Sequence, residues 1–258
     1  MHSTGEHARL YLLRVGADSS KVGGCFCSPI FEDRTYLFVP ITITETEKVI
    51  PDKTVTYGNY KWNGMSVLEY IPPAIAMQPV HNDPEFSTFT YGSPRYVKYA
   101  RGNREEKNYN KLKSMNPGDI LVFYAAFKNV LPSRNDSMNG LYYCFFSYFV
   151  VQKAVCYSDP SLIEEEYKQS VAGNHHFIHN YRDQVIIVGD RDKSRVLNKA
   201  VLLSSPQDRC ESNYYPSRSM SQKLGGYYKA LNRSSLRRML SPNIALPFKE
   251  YLDHLGFD

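Results

Sequence analysis

Apolar and polar positions divide the chain into short strand-like runs separated by polar segments. Apolar runs rich in β-branched and aromatic residues occur at residues 9–15, 36–44, 120–127, 141–155, 185–188 and 200–203. Runs of this length and composition predict β-strands. The runs at 120–127 and 141–155 flank a loop rich in Ser, Asn, Asp and Gly, so we expect them to form an antiparallel pair.

Helical signals are fewer and shorter. Residues 102–115 are polar, with Asn103 as a candidate N-cap, and predict a surface helix. Asp159 followed by Pro160 predicts a helix start, with an end near Val171. A short helix is expected at 194–198. Residues 45–94 hold six prolines and little helical periodicity, which predicts the kind of long irregular region that often carries function.

Strands and helices mix without regular βαβ alternation, which predicts an α+β fold. We expect a single domain around a curved mixed, mostly antiparallel sheet, and PUA-like barrel elements are one form that such a sheet takes. A helical C-terminal extension completes the prediction. Composition changes after residue 208, so we assign residues 1–208 to the α+β core and residues 209–258 to a basic helical extension packed on it.

Composition narrows the class of protein. With 258 residues, 42% hydrophobic and 22% charged, the chain fits a globular domain rather than a fibrous or disordered one. No apolar run reaches the ~18–20 residues needed to span a bilayer, and the N-terminus lacks a secretory pattern. We therefore expect a cytoplasmic protein without a membrane partner. Five scattered cysteines without a Cys-x-x-Cys pair fit neither a disulfide framework nor a zinc ribbon.

The positive charge is concentrated in one segment. The net charge is +5, yet residues 209–240 contain seven Lys or Arg against Glu211 alone, with tyrosines interleaved. Aromatic faces stack on bases and cations neutralise phosphates, so this segment predicts a nucleic-acid surface. The alternative is that these cations pair with the acidic residues between 159 and 166.

Several motifs that define common enzyme classes are absent. The chain has no G-x-x-x-x-G-K-[ST], G-x-G-x-x-G, H-E-x-x-H or G-x-S-x-G pattern. The sequence therefore contains none of the motifs that usually indicate P-loop hydrolysis, dinucleotide binding, zincin proteolysis or α/β-hydrolase chemistry. The candidate chemistry lies in polar residues at predicted strand ends.

The first candidate group is Arg14 with Asp18. An arginine at the end of an apolar strand is costly to bury without a partner, and Asp18 follows one turn later. The pair either fixes the turn or forms an anion site, because a guanidinium suits phosphate or carboxylate.

The second candidate group is His81, Asp83 and Glu85, followed by Tyr91. In an extended segment, residues two apart share one side, where a His and two carboxylates serve proton transfer or hold a divalent cation. A capped turn is the alternative. A metal site at His81 and Asp83 is the weaker hypothesis, because no second His at a helical spacing accompanies them.

The third candidate group follows the strand at 185–188. Asp190, Lys193, Ser194 and Arg195 combine a carboxylate, cations and a hydroxyl at a predicted helix start, which suits a phosphate. A solvated, capped turn is the alternative. His176 lies just upstream, where an adjacent His pair is more often a surface feature than a ligand pair.

Four short motifs in chain order resemble the third type of nucleotide modification associated domain. They begin at Arg14, His81, Gly118 and Val188, and together they span about residues 9–205. The resemblance implies a nucleotide or nucleic-acid context rather than a specific reaction. The basic C-terminal region lies outside it.

These observations favour a protein that modifies a nucleic acid or nucleotide and holds a phosphate-bearing ligand. Protein partners from a modification system are compatible with this hypothesis, and no cofactor or oligomeric state is indicated. Two alternatives stay open: a non-catalytic, PUA-like reader of modified nucleic acid that uses Tyr91, Tyr124 and the basic segment, and a structural subunit of a modification complex. The predicted acid, base or metal-organising groups are Asp18, His81, Asp83 and Asp190; the predicted substrate-binding residues are Arg14, Glu85, Tyr91, His176, Lys193, Ser194 and Arg195.

Overall fold

The computed structural model describes residues 8–16, 26–43, 55–99, 102–105, 107–130, 140–233, 236–239 and 243–257. Its strands are β1 (Leu10–Arg14), β2 (Ser28–Ile30), β3 (Ile41–Thr42), β4 (Lys61–Trp62), β5 (Met65–Ser66), β6 (Val80–His81), β7 (Thr90–Pro94), β8 (Tyr96–Tyr99), β9 (Gly102–Glu105), β10 (Ile120–Asn129), β11 (Tyr142–Tyr157), β12 (Gln184–Gly189), β13 (Arg195–Ser204), β14 (Arg209–Cys210), β15 (Asn213–Tyr214) and β16 (Leu236–Arg238). Its helices are α1 (Lys107–Lys113), α2 (Glu165–Val171), α3 (His175–Ile178), α4 (Arg218–Lys223) and α5 (Ala245–Phe257).

One eight-stranded mixed sheet organises the fold. Its main path runs β16-β1-β10-β11-β12-β7, with β2 added beside β10 and β13 beside β11. Only the pairs of β10 with β1 and with β2 are parallel. The predicted α+β class with a mostly antiparallel sheet is confirmed. Among the described strands, β16 and β7 lie at the two ends of the path and do not pair with each other, so the sheet does not close into a PUA-like barrel.

The two central strands explain how one sheet builds two cores. Strands β10 and β11 are buried along most of their length, and their registry places Leu121 opposite Phe149. Successive side chains point to opposite faces. Leu121 and Phe123 therefore join the core under residues 26–80, whereas Val122 joins the core under the C-terminal segment.

The C-terminal segment is part of this architecture. Phe248 of α5 packs on Phe145 of β11, with 5.4 Å between ring centroids. Strand β16 pairs antiparallel with β1 and forms one edge of the sheet. The expected helical extension over 209–258 contains the helices α4 and α5 together with the short strands β14, β15 and β16; α4 ends before Gly225 and Gly226, which both have positive φ.

Other segments differ from their sequence predictions because long-range pairing outweighs local preference. Residues 195–204 form the single strand β13 against β11, instead of a helix followed by a strand. The predicted strand at 36–44 is reduced to β3. The predicted helix at 102–115 is divided into β9 and α1. No described helix has the length and apolar character that a membrane crossing requires.

Candidate functional site

A buried group of three polar side chains lies beside the edge strand β7. His81 ends β6, Asp83 follows it, and His176 lies on α3. His81 Nε2 is 3.2 Å from His176 Nε2, and His176 Nε2 is 3.3 Å from Asp83 Oδ2. All three residues are buried. We call them the His-Asp-His cluster.

The local turn after β6 brings Asp83 back towards His81. The Asp83 amide donates to the His81 carbonyl oxygen at 2.9 Å, so the chain reverses within two residues. The amide of Gly92 on β7 then donates to both carboxylate oxygens of Asp83 at 3.0 Å. Asp83 is therefore fixed by backbone contacts from two directions.

Asn174 connects the cluster to α3. Its side-chain oxygen accepts a hydrogen bond from the His176 amide at 3.0 Å, which caps the helix. Its amide nitrogen donates to Asp83 Oδ1 at 3.0 Å and to Thr90 Oγ1 at 3.2 Å. One buried side chain thus positions both His176 and Asp83.

His175 forms a layer of imidazole rings behind the cluster. Its ring stacks on His81 with 4.1 Å between centroids and lies 4.4 Å from the ring of His179. Burial lowers the pKa of His175 well below its ordinary value, and the neighbouring histidines His81, His176 and His179 lower it further. A neutral imidazole is therefore expected at His175 at physiological pH.

Two buried ring nitrogen atoms, one in the cluster and one behind it, have no hydrogen-bond partner among the described residues. They are Nδ1 of His176 and Nε2 of His175. Buried polar atoms in a purely structural network are usually paired. The ligand atoms of His81, Asp83 and His176 all lie within 4.8 Å of one another. This arrangement suits proton transfer and contains the donor types that a transition metal uses.

Glu85 and Tyr91 lie next to the cluster in sequence but face elsewhere. The Glu85 carboxylate accepts the amides of Ser87 and Thr88, both at 2.8 Å, and their hydroxyl groups. Glu85 thus closes the turn that leads into β7, as in the capped-turn alternative. Tyr91 points into the core, with its ring 5.9 Å from that of Phe123.

A separate cleft of about 340 Å³ lies near the third predicted group, lined by Thr88, Gln152, Ser170, Val188, Gly189, Asp190, Arg191 and Asp192. Asp190 accepts a hydrogen bond from Lys193 Nζ at 2.8 Å, and this contact lowers the pKa of Asp190. The hydroxyl oxygens of Thr88, in the cleft wall, and Thr90 are 3.2 Å apart. Asn174 donates to both Thr90 and Asp83, so a chain of hydrogen bonds runs from the cleft wall to Asp83.

Ser194 and Arg195 do not line this cleft. The buried Ser194 Oγ accepts the Val150 amide at 3.1 Å and supports the strand junction. Arg195 begins β13 and donates to the Ser194 carbonyl oxygen.

Arg14 lies far along the sheet from the cluster. It ends β1, and three strands, β10, β11 and β12, separate β1 from β7. Its guanidinium donates to the Asn232 carbonyl oxygen at 3.1 Å and lies over the Tyr143 ring. Asp18 lies outside the described residues. The structure therefore unites His81, Asp83 and His176, places Asp190 and Lys193 at a neighbouring cleft, and separates Arg14 from both.

The basic segment presents cations beside aromatic rings. Tyr215 and Tyr228 stack with 5.0 Å between centroids, and Tyr228 is 61% exposed. The exposed cations of this segment are Arg209, Arg218, Lys223, Lys229 and Arg238. Within the described part of the chain none of them forms an ion pair, and two of the four acidic groups considered as their partners pair elsewhere, Asp159 with Arg182 and Glu165 with Lys168.

These features define a mixed α+β protein with a buried His-Asp-His cluster at one sheet edge. The model of the family named nucleotide modification associated domain 3 matches residues 9–239, and the chain belongs to this family. The match includes β16, so it extends beyond residue 208 into the C-terminal segment. Neither the curated proteins nor the solved structures contain a match to the chain.

Sequence reasoning missed how the cluster assembles. His176 was predicted as a substrate-binding residue, not as the partner of His81, and Asn174 and Gly92 were given no role. The available signal was the Asn-His-His run at 174–176, because Asn before a short helix indicates an N-cap that orients the next side chains.

Proposed function

We propose that the protein binds a phosphate-bearing nucleotide or a nucleic acid and modifies its base at the His-Asp-His cluster. The observation that carries this proposal is the close approach of His81, Asp83 and His176, beside which His176 Nδ1 and His175 Nε2 are buried and have no hydrogen-bond partner among the described residues. Membership of the nucleotide modification associated family supports the choice of substrate class.

The cluster has the groups that proton transfer requires. An imidazole nitrogen both accepts and donates protons, so His81 or His176 is suited to act as a general acid or base. Asp83 is oriented by the Gly92 amide and the Asn174 side chain, which keeps one carboxylate oxygen directed at His176. In this proposal Asp83 positions the imidazole on which proton transfer depends.

The neighbouring cleft is suited to a phosphate. Arg191 and Lys193 are exposed at or beside it, and Asp190 holds the Lys193 ammonium in place. A bound phosphate would compete with the Asp190 carboxylate for Lys193. A hydrogen-bond path from Thr88 through Thr90 and Asn174 to Asp83 links this cleft to the buried cluster, and in this proposal the phosphate binds in the cleft while the base reaches the cluster.

The non-catalytic reader is a second candidate, and one observation favours it. Tyr215 and Tyr228 stack on each other, and exposed lysines and arginines lie near them in the sequence. Aromatic rings and cations of this kind are typical of surfaces that bind single-stranded nucleic acid. Tyr124 is not part of such a surface, because it is buried and donates to the Leu231 carbonyl oxygen.

Binding and turnover separate the two functions. Fluorescence anisotropy with labelled single-stranded and duplex DNA measures affinity, and nucleoside analysis of the same samples measures conversion. An enzyme converts its substrate, and His176→Ala abolishes conversion while affinity changes little. A reader binds with the same affinity in wild type and His176→Ala and converts nothing. Absence of binding to DNA, RNA and free nucleotides would reject both functions.

A further inference from the structure

We propose that His81, Asp83 and His176 are the three protein ligands of a mononuclear site for a divalent first-row transition metal, with iron(II) and zinc(II) as the candidate ions. This inference goes beyond the proposed function: it replaces direct proton transfer by His81 or His176 with ligation through the same Nε2 atoms, and it does not require that the substrate be a nucleotide. It rests on the geometry of the cluster and on the identity of its donor atoms.

Two of the three distances between ligand atoms in the cluster match those between ligands of one metal ion, and the whole set lies within 4.8 Å. Two ligand atoms that each lie about 2.1 Å from a metal and subtend about 90–109° are roughly 3.0–3.4 Å apart. The Nε2 atoms of His81 and His176 are 3.2 Å apart, and His176 Nε2 is 3.3 Å from Asp83 Oδ2. Without a metal, the same two distances would have to be hydrogen bonds that share His176 Nε2. Either the single proton on that nitrogen serves both His81 and Asp83, or His81 donates to it and no proton of His176 is left there for Asp83.

The donor set selects the class of metal. Two imidazoles and one carboxylate, with positions left for water or substrate, form the ligand set of mononuclear non-haem iron(II) sites. Catalytic zinc sites also have three protein ligands, which can be two histidines and one carboxylate, whereas structural zinc sites usually have four; the described residues supply three. Calcium and magnesium prefer oxygen ligands throughout.

The surrounding residues orient the ligands as a metal site requires. Asp83 receives the Asn174 side chain on Oδ1, the oxygen that faces away from His176, and the Gly92 amide on both carboxylate oxygens. Asn174 also fixes the start of the helix that carries His176. The His175 ring stacks on His81 and limits rotation of that imidazole. Such supporting contacts typically change metal affinity 10–100-fold when they are removed.

The test is metal binding by the full-length protein, measured without any substrate. The protein is stripped with a chelator, titrated anaerobically with Fe(II) or with Co(II) as a spectroscopic substitute, desalted, and analysed for metal by mass spectrometry. We expect about one metal per chain in wild type and a Co(II) absorption spectrum typical of nitrogen and oxygen ligands. His81→Ala and His176→Ala should weaken binding by more than about 100-fold, and Asn174→Ala by about 10–100-fold.

Two further variants keep the test decisive. Asp83→Asn keeps the side-chain volume, so it reports on the carboxylate ligand even where an alanine variant fails to fold. His254→Ala removes an exposed histidine of α5 and should retain full metal binding. The proposal is overturned if wild type retains no Fe(II) or Co(II), or if folded Asp83→Asn and His176→Ala bind them as tightly as wild type. Nucleotide conversion that depends on His176 and Asp83 in a protein that binds no metal would reject this inference alone, whereas metal binding at the cluster without any nucleotide binding would reject the proposed function alone.

Discussion

Gly92 lies directly against the imidazole ring of His176. A Cβ atom at position 92 would be 2.5 Å from His176 Cδ2 and 2.8 Å from Cγ. The same glycine donates its amide proton to Asp83. Gly92 therefore contributes to the cluster in two ways, by supplying a hydrogen bond and by leaving room for a ring.

Gly92→Ala should displace His176 and disrupt the cluster. Overpacking of this kind typically costs about 1–3 kcal/mol of unfolding free energy, and we expect metal binding to fall at the same time. Gly256→Ala is the matched control, because its Cβ would lie 2.7 Å from Leu197 Cδ2, a residue of the other core. It should lower stability without changing metal binding. Equal metal binding by wild type and Gly92→Ala would show that the ring does not need this space.

The buried contact between Arg9 and Asp119 should be a major source of stability. Asp119 is 2% exposed and accepts hydrogen bonds from the Arg9 amide, the Arg9 guanidinium and the Asn116 amide. Asp119→Ala leaves these donors unpaired, so we expect a loss of about 3–5 kcal/mol in chemical denaturation. Glu165→Ala removes the exposed pair with Lys168 and should cost less than about 1 kcal/mol. Similar losses in both variants would contradict this assignment.

The metal-free protein should lose stability on acidification because of His175. Its pKa is lowered in the folded state, chiefly by burial, so the unfolded state binds the proton more readily. This penalty is absent well above the unfolded pKa of about 6.5 and grows as pH falls below it. Between pH 6.5 and 5.5, His175 alone should lower the unfolding free energy by about 1 kcal/mol.

Denaturation in the presence of a chelator measures this pH effect. His175→Gln should flatten the acidic limb of the stability curve by that amount, whereas His254→Gln, at an exposed position, should leave it unchanged. An identical pH dependence in wild type and His175→Gln would mean that His175 titrates normally.

The basic segment should contact single-stranded nucleic acid through Tyr228 and Lys229. Loss of one stacked aromatic ring typically costs about 1–3 kcal/mol of binding, so Tyr228→Ala should weaken affinity by roughly 5–150-fold. Lys229→Ser should reduce the salt dependence of log K by about 0.7 if it neutralises one phosphate. Lys61→Ser, an exposed cation on the β4-β5 hairpin, is the control and should change neither quantity. The surface is rejected if Tyr228→Ala and Lys229→Ser behave like the control.

Sequence alone was sufficient for the features that depend on local pattern. The apolar runs at 120–127 and 141–155 predicted the antiparallel pair β10 and β11, and the mixed α+β class followed from the order of the elements. Asp159 caps its turn by accepting the Ser161 amide, as its position before Pro160 predicted. These outcomes depend on residues close together in the chain.

Features that depend on contacts between distant residues could not be predicted in this way. His81 and His176 are 95 positions apart, and their approach depends on β7 and on the Asn174 cap. The expectation that His81, Asp83 and Glu85 share one side assumed an extended chain. The turn at Asp83 keeps Asp83 beside His81, whereas local hydrogen bonds hold the Glu85 carboxylate away from both. Arg195 starts a strand because β11 pairs with it, which its own polar neighbourhood does not indicate.

The most direct test of the central claim is mass spectrometric nucleoside analysis of DNA, RNA and free nucleotides from cells that express the full chain. The proposal predicts a nucleoside mass, or the loss of one, that depends on wild-type protein, disappears with His176→Ala and Asp83→Asn, and persists with His254→Ala at equal expression. A nucleoside change that persists unaltered in folded His176→Ala and Asp83→Asn would contradict the claim that the His-Asp-His cluster is the reaction centre.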